Sequence, residues 1–102
     1  MATIAPAAYA DLTDDDFIEV EWVQGSGYGW ALTEQPGGPG YAVILVNEDA
    51  VPLAVLRTFR SGLPSREFTN GITLAILNGR GHALLAGGAA IPPHSCLNDE
   101  EV

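Results

Sequence analysis

The residue types that carry catalytic or metal chemistry are few and widely spaced in this chain. Its histidines and its single cysteine are His82, His94 and Cys96. A structural zinc site usually takes four such ligands, and these three show no paired spacing. A cysteine–histidine nucleophile pair needs a rigidly held thiol, but Cys96 follows Pro92-Pro93 in a polar tail. The sequence therefore predicts no catalytic residue, no metal site and no cofactor.

Two glycine-containing segments, Gly25–Gly29 and Asn78–Gly81, have the composition of phosphate-binding loops. A nucleotide-binding glycine loop follows a strand and opens a helix whose N-terminus meets the phosphate. The residues after Gly29 are strand-like and end at Pro36, and Asn-Gly is a common hairpin pair. We interpret both segments as turns.

The charged residues are distributed unevenly along the chain, and this is its strongest functional signal. Residues 1–49 hold nine of the 13 carboxylates and no lysine or arginine. All four arginines lie in residues 50–98, and the last four residues add three carboxylates. The net charge of −9 opposes binding to nucleic acid or to anionic membrane. The split favours attraction between copies of the chain, or binding to a basic protein surface.

The candidate protein-binding residues follow from this split. The acidic candidates lie near the N-terminus: Asp11, Asp14, Asp15, Asp16, Glu19 and Glu21. The basic candidates, Arg57, Arg60 and Arg66, lie within ten residues of one another. Arginine pairs bidentately with carboxylates, although solvated surface ion pairs contribute under about 1 kcal/mol each. The consecutive aspartates do not have the alternate spacing of a calcium loop.

These residues need a scaffold, and the hydrophobic pattern predicts one made of strands. Phe17–Gln24 alternates, with Ile18, Val20 and Trp22 on one face and the two glutamates on the other, which is typical of a half-buried strand. Further strands are predicted at residues 28–33, 41–46 and 53–59, with turns between them. The strand at 41–46 is apolar on both faces, which indicates a central strand or an oligomer contact.

The remaining elements are predicted from turn residues and short apolar runs. Thr13 is expected to cap a single turn over Asp14–Asp16. Residues 60–71 are expected to be irregular. Ile72–Leu77 is predicted as a fifth strand and His82–Ala86 as a sixth, with a short helix as the alternative for the sixth. The aromatic residues at alternating strand positions are expected in the core: Trp22, Tyr28, Trp30 and Tyr41.

The fold class that these elements predict is all-β, a small antiparallel β-sandwich or barrel of about six strands. The 102 residues suit one domain. We expect an extended N-terminal acidic arm (1–16), a β domain (17–93) and an acidic C-terminal tail (94–102). Residues 1–10 lack the features of a signal peptide, and one cysteine suits a reducing compartment. We therefore expect a cytoplasmic or virion location.

The leading functional hypothesis is a non-enzymatic structural or assembly protein, such as a decoration, cement or minor assembly subunit of a phage-like particle. It would bind copies of itself, or a larger protein lattice, through its acidic arm and arginine-bearing loop, as a homo-oligomer or an assembly-bound subunit. The alternative is an acidic inhibitor of a nucleic-acid-binding enzyme, of the anti-CRISPR or DNA-mimic type. An enzyme is disfavoured because no acid–base pair lies in a recognisable setting.

Overall fold

The computed structural model describes residues 7–86, which form a four-stranded antiparallel sheet with helical segments on both faces. The strands are β1 (Phe17–Val23), β2 (Tyr28–Glu34), β3 (Tyr41–Asn47) and β4 (Pro52–Phe59). The α-helices are α1 (Ala7–Ala10) and α2 (Arg66–Leu77), and 3₁₀ turns cover Asp14–Asp16 and His82–Ala86. The sequence predictions of these four strands are confirmed to within two residues at each end.

Sequential strands are neighbours, in the order β1-β2-β3-β4, so β1 and β4 are the two edges. In the β1–β2 turn, Gly25 and Gly27 have φ values of 81° and 84°, which a glycine adopts without steric cost. This segment is the hairpin turn that the sequence predicts. In the β3–β4 turn, the Asn47 side-chain carbonyl accepts hydrogen bonds from the backbone N–H groups of Asp49 (2.8 Å) and Val51 (3.0 Å).

The central strand β3 is buried on both faces. Val43 and Leu45 lie on one face, which we call the first face, in a cluster with residues of α2. Ala42, Ile44 and Val46 lie on the opposite, second face. All five residues have a solvent exposure of 0%. The two-sided apolar pattern therefore belongs to a strand covered within the subunit, the first of the two alternatives that the sequence left open.

The prediction of a fifth strand over Ile72–Leu77 is wrong, because these residues are the second half of α2. Phe68, Ile72, Ala75 and Ile76 recur at helical spacing, and all four are buried against the first face. The Ser65 hydroxyl accepts a hydrogen bond from the Phe68 backbone N–H (3.1 Å) and caps the helix. The irregular segment is therefore only residues 60–65, and not 60–71.

Asn78-Gly79 ends α2 and does not form a hairpin turn. The Gly79 N–H donates to the carbonyl of Ile76 (3.0 Å), and the Arg80 N–H donates to that of Ala75 (2.8 Å). With Gly79 at a φ of 82°, these bonds form a Schellman motif, which satisfies carbonyls that the helix end leaves free. His82–Ala86 is the short helix alternative and not a sixth strand.

Residues 7–86 thus form one four-stranded sheet with helices, and not the predicted sandwich or barrel of about six strands, while the antiparallel, largely sheet character is confirmed. A sandwich would need a second sheet to cover the first face, and α2 covers it in this protein. Among residues 7–86, no helix has both the length and the apolar composition that crossing a membrane requires. Residues 1–6 of the predicted arm and the predicted tail, 94–102, lie outside the described residues.

A part-buried hydrogen bond fastens α2 to the sheet. Trp30 on β2 is 1% exposed, and its indole N–H donates to the Thr73 hydroxyl of α2 (3.0 Å). Thr73 in turn donates to the carbonyl of Thr69 (3.3 Å). A buried indole N–H without an acceptor is costly, so this bond fixes which turn of α2 lies over β2.

The second face is covered by the segment before β1. The Tyr9 side chain of α1 is 8% exposed and packs against the small residues Ala31 and Ala42 and against Ile44. Leu12 lies half-buried at the margin of this cluster. The part of the predicted arm that includes Tyr9 and Leu12 therefore packs on the sheet. The placing of a domain boundary after residue 16 stays a prediction.

Replacing Thr73 by valine keeps the shape of the side chain but removes the acceptor for the Trp30 N–H. We expect the free energy of unfolding to fall by about 1–3 kcal/mol, the cost of a buried donor left unpaired. Thr73→Ser keeps the hydroxyl and should retain more of the stability. Urea unfolding of the variants measures both changes, and a Thr73→Val protein as stable as the parent would contradict this role for the bond.

Burial also raises the pKa of the Tyr9 phenol, because desolvation disfavours the charged phenolate. The folded state then holds this proton more tightly than the unfolded chain. Stability should be insensitive to Tyr9 below the pKa of an unfolded tyrosine, about 10, and should fall as pH rises from there towards the folded pKa.

The chain has no lysine, so few other side chains titrate in that range. Tyr9→Phe should remove the part of the alkaline loss that Tyr9 causes. Urea midpoints from pH 9 upward, together with the phenolate absorbance, provide the measurement. The same alkaline loss in parent and variant would show that Tyr9 is not its source.

Candidate protein-binding site at the sheet edges

The aspartates of the N-terminal segment lie at the entry to β1. Asp14–Asp16 form the single turn that the sequence predicts, and this prediction is confirmed. The Asp16 carboxylate accepts a hydrogen bond from the Thr13 backbone N–H (3.0 Å), and the Asp16 N–H donates to the Thr13 carbonyl (2.8 Å). Asp11 and all three residues of the turn are exposed. This segment presents four carboxylates to solvent beside one end of the sheet.

A β-bulge sets the direction of the β1 side chains. Phe17 pairs with Thr33 and Glu19 pairs with Leu32, so Ile18 is an extra residue without a partner. Such a bulge turns the side chains that follow it relative to those before it. Ile18 is 54% exposed, and the sequence expectation that it shares a buried face with Val20 is wrong.

Beyond the bulge, Glu19 and Glu21 share the first face, the same face that carries α2. Their partners on β2 are Leu32 and Trp30, both in the first-face core. Both glutamates remain exposed, because β1 is an edge strand. Charged side chains that point inward at an edge are a common device against indiscriminate strand pairing.

Trp22 lies on the second face and is not in the core, so its predicted burial is wrong. It is 44% exposed, and its indole N–H donates to the carbonyl of Asn47 (3.0 Å). The ring crosses β2 over Gly29, where an added Cβ would lie 2.8 Å from Trp22 Cδ1 and 2.5 Å from the Glu21 carbonyl oxygen. Trp30 is buried as predicted, and Tyr28 and Tyr41 are half-buried against the first-face core.

Arg57 lies at the opposite edge of the sheet, on β4. Its guanidinium carbon is 5.2 Å from the ring centroid of Phe68 and 5.7 Å from that of Phe59. The two rings meet edge to face, with centroids 5.5 Å apart. Cation–π contact of this kind holds the arginine in place. Within residues 7–86, Arg57 has no carboxylate at ion-pair distance, and its side chain is exposed.

The other two arginines lie elsewhere, and the structure does not bring the three together. Arg66, at the start of α2, lies beside the acidic edge, with its Nη1 3.6 Å from Glu19 Oε2. Their side chains are 70% and 45% exposed, so this pair adds little stability. Arg60 follows β4 and lines an open cavity of about 300 Å³ with Glu34 and Tyr41.

The strand registers reveal an arrangement that sequence reasoning missed. Glu19 pairs with Leu32, Leu32 with Val43, and Val43 with Arg57. A carboxylate and a guanidinium therefore occupy the two ends of one row across the first face. Two register shifts between β3 and β4 bring Arg57 into this row, and neither is visible in the sequence.

A cavity of about 290 Å³ at the acidic edge is lined by Glu19 and Arg66, and the other cavities and titratable groups offer less. Two open cavities of about 310 Å³ flank the β1–β2 turn, and their only ionisable lining side chains are Tyr28, His82 and Glu48. Among residues 7–86, no three histidine, cysteine, aspartate or glutamate side chains gather closely enough to hold a metal ion. His94 and Cys96 lie outside the described residues. The oppositely charged edges are the most distinctive feature of the described surface.

Comparison of the chain with protein-family models, with curated proteins and with solved structures finds no match. The chemistry and the geometry of the two edges are therefore the guide to function.

The position of Trp22 on the acidic edge should depend on the absence of a side chain at Gly29. Gly29→Ala places a methyl group against the Glu21 carbonyl and the indole, so β1 must shift, at a cost of about 1–3 kcal/mol. Gly38→Ala is the matched control, because its Cβ would lie 3.5 Å from Gln35 Nε2, an ordinary contact. Urea unfolding should find Gly38→Ala at least as stable as the parent, and equal stabilities for the two variants would refute the argument.

Proposed function

We propose that this protein is a non-enzymatic assembly protein that binds copies of itself, or a larger protein lattice, through its charged sheet edges. The observation that carries the proposal is the placement of Glu19 and Glu21 on one edge strand and Arg57 on the other. Among residues 7–86, β1 and β4 each pair with only one strand, and these two edge strands carry opposite charges.

Three further features support this function. Edge strands are the part of a sheet most ready to pair with another chain. The acidic edge is extended by the carboxylates of the Asp14–Asp16 turn, which lead directly into β1. Exposed apolar side chains, Ile18 and Trp22, lie on the same strand, and contacts between proteins commonly combine such groups with a charged margin.

Within this class, we propose a decoration, cement or minor assembly subunit of a phage-like particle as the specific role. Such a subunit binds a repeating protein surface, for which two separate contact edges on a small domain are suited. This role adds a requirement that simple self-association does not have. The protein must also bind a preformed lattice.

The main competitor is the acidic inhibitor of a nucleic-acid-binding enzyme, and the edges separate the two functions. Successive first-face side chains on β1 are about 7 Å apart, close to the phosphate repeat along one DNA strand. An inhibitor needs only these carboxylates, and Arg57 is irrelevant to it. An assembly protein that uses both edges depends on Arg57 as well.

Light scattering and sedimentation at rising protein concentration test the assembly function. We expect association that weakens with salt, because dissolved ions screen the attraction between solvent-exposed charges, with a screening length of about 10 Å at 0.1 M. Glu19→Arg/Glu21→Arg should abolish it. Glu48→Arg/Asp49→Arg, in the β3–β4 turn, makes the same change in net charge outside the two edge strands and should leave association intact. A strict monomer that binds no particle surface, even at high concentration, would overturn the proposal.

A further inference from the structure

The two charged edges match in register as well as in sign. Each strand is antiparallel to its neighbour, so β1 and β4 run in opposite directions. A second copy displaced along the sheet, without rotation, would lay its β1 antiparallel beside β4 of the first. Because α2 stays on the same side in both copies, the first faces would also be continuous.

We propose that copies of this chain associate head to tail, with β1 of one copy beside β4 of the next and Glu19 paired with Arg57. This inference rests on the proposed assembly function and names the partner as a second copy. In this arrangement Glu19 of one copy continues the row that ends at Arg57 of its neighbour.

The adjacent row, across the register shift between Val43 and Ile44, brings matching residues together on the second face. Val20 pairs with Ala31, Ala31 with Ile44, and Ile44 with Val55. Val20 and Val55 are both only half-buried in the isolated chain. The head-to-tail junction would place these two valines side by side, so an apolar contact lies directly behind the charged one.

Symmetric pairing of like edges lacks this complementarity. An antiparallel β1–β1 junction would bring the carboxylates of Glu19 and Glu21 against those of the second copy, and like charges facing across strands are destabilising. A β4–β4 junction would bring two Arg57 side chains towards one another. The head-to-tail contact joins different surfaces, so it produces a ring if it closes and a filament if it does not.

The junction is expected to be weak. Between β3 and β4, the regular register that includes Arg57 extends only over Arg57–Phe59, and β1 is bulged at Ile18. Few backbone hydrogen bonds can therefore form between copies, and the charged pair gains importance. Interfaces that bury less than about 1,200 Å² are commonly transient, so association should require high concentration and low salt.

Two single charge reversals and their mixture test the inference. Glu19→Arg puts an arginine at both ends of the Glu19–Arg57 row, and Arg57→Glu puts a glutamate at both ends, so neither variant alone should self-associate. Their equimolar mixture should associate as the parent does, because every junction again joins opposite charges. The Glu19→Arg/Arg57→Glu double variant should also recover association. Sedimentation velocity at low salt measures each of these outcomes.

Milder variants and a control complete the test. Glu19→Gln avoids repulsion of Arg66, and should raise the dissociation constant about fivefold, which corresponds to the loss of one exposed ion pair. Arg80→Glu alters the net charge as Arg57→Glu does, at an exposed position after α2, and should leave association unchanged. Circular dichroism verifies that every variant is folded.

The outcomes separate this inference from the function on which it rests. If the parent associates but the mixture of variants does not, the head-to-tail register is wrong and the assembly function stands. If Arg57→Glu alone leaves association intact, Arg57 is not the partner of Glu19. A parent that neither associates nor binds a lattice refutes the assembly function itself.

Discussion

Five consecutive residues of β3, Ala42–Val46, are withdrawn completely from water, and the rest of the architecture depends on covering both faces of this strand. Burial of apolar surface is the main force that favours folding, and here it must act on both sides of the sheet. The helix α2 covers one side and the segment that carries Tyr9 covers the other. With β2 and β4 beside it, and β1 outside β2, the sheet leaves its first and last strands as edges.

These two edge strands carry the charged side chains of the proposed contact. The carboxylates of β1 cannot be buried without partners, and at an edge they reach water while their strand still contributes to the core. Arg57 does the same on β4, where it rests on the rings of Phe59 and Phe68. The glutamates of β1 and Arg57 of β4 are thus separated across the sheet, because the strands are arranged in chain order, whereas Arg66 lies beside Glu19 at the acidic edge.

The four strands and the Asp14–Asp16 turn are predictable from sequence, because alternation, glycine-rich turns and a capping threonine are local signals. The helix α2 is harder to predict, since Gly71 interrupts it and the run Ile72–Leu77 is apolar enough for a buried strand. The capping Ser65 and the helical spacing of the buried residues are the signals that could have identified it. The pair Asn78-Gly79 is compatible with a hairpin turn or with a helix C-terminus. It ends a helix here because α2 precedes it. The row from Glu19 to Arg57 depends on bulges in two strand pairs, which arise from tertiary packing.

The two tryptophans differ in solvent exposure, so the intrinsic fluorescence of the protein can report on the acidic edge. Trp30 is sealed between the sheet and α2, whereas the indole of Trp22 lies open to water on β1. A soluble collisional quencher should therefore quench the emission of Trp22 and leave that of Trp30 largely unchanged. Any partner that covers the acidic edge would shield Trp22 as well, so occupancy of that edge can be followed by fluorescence without attaching a label.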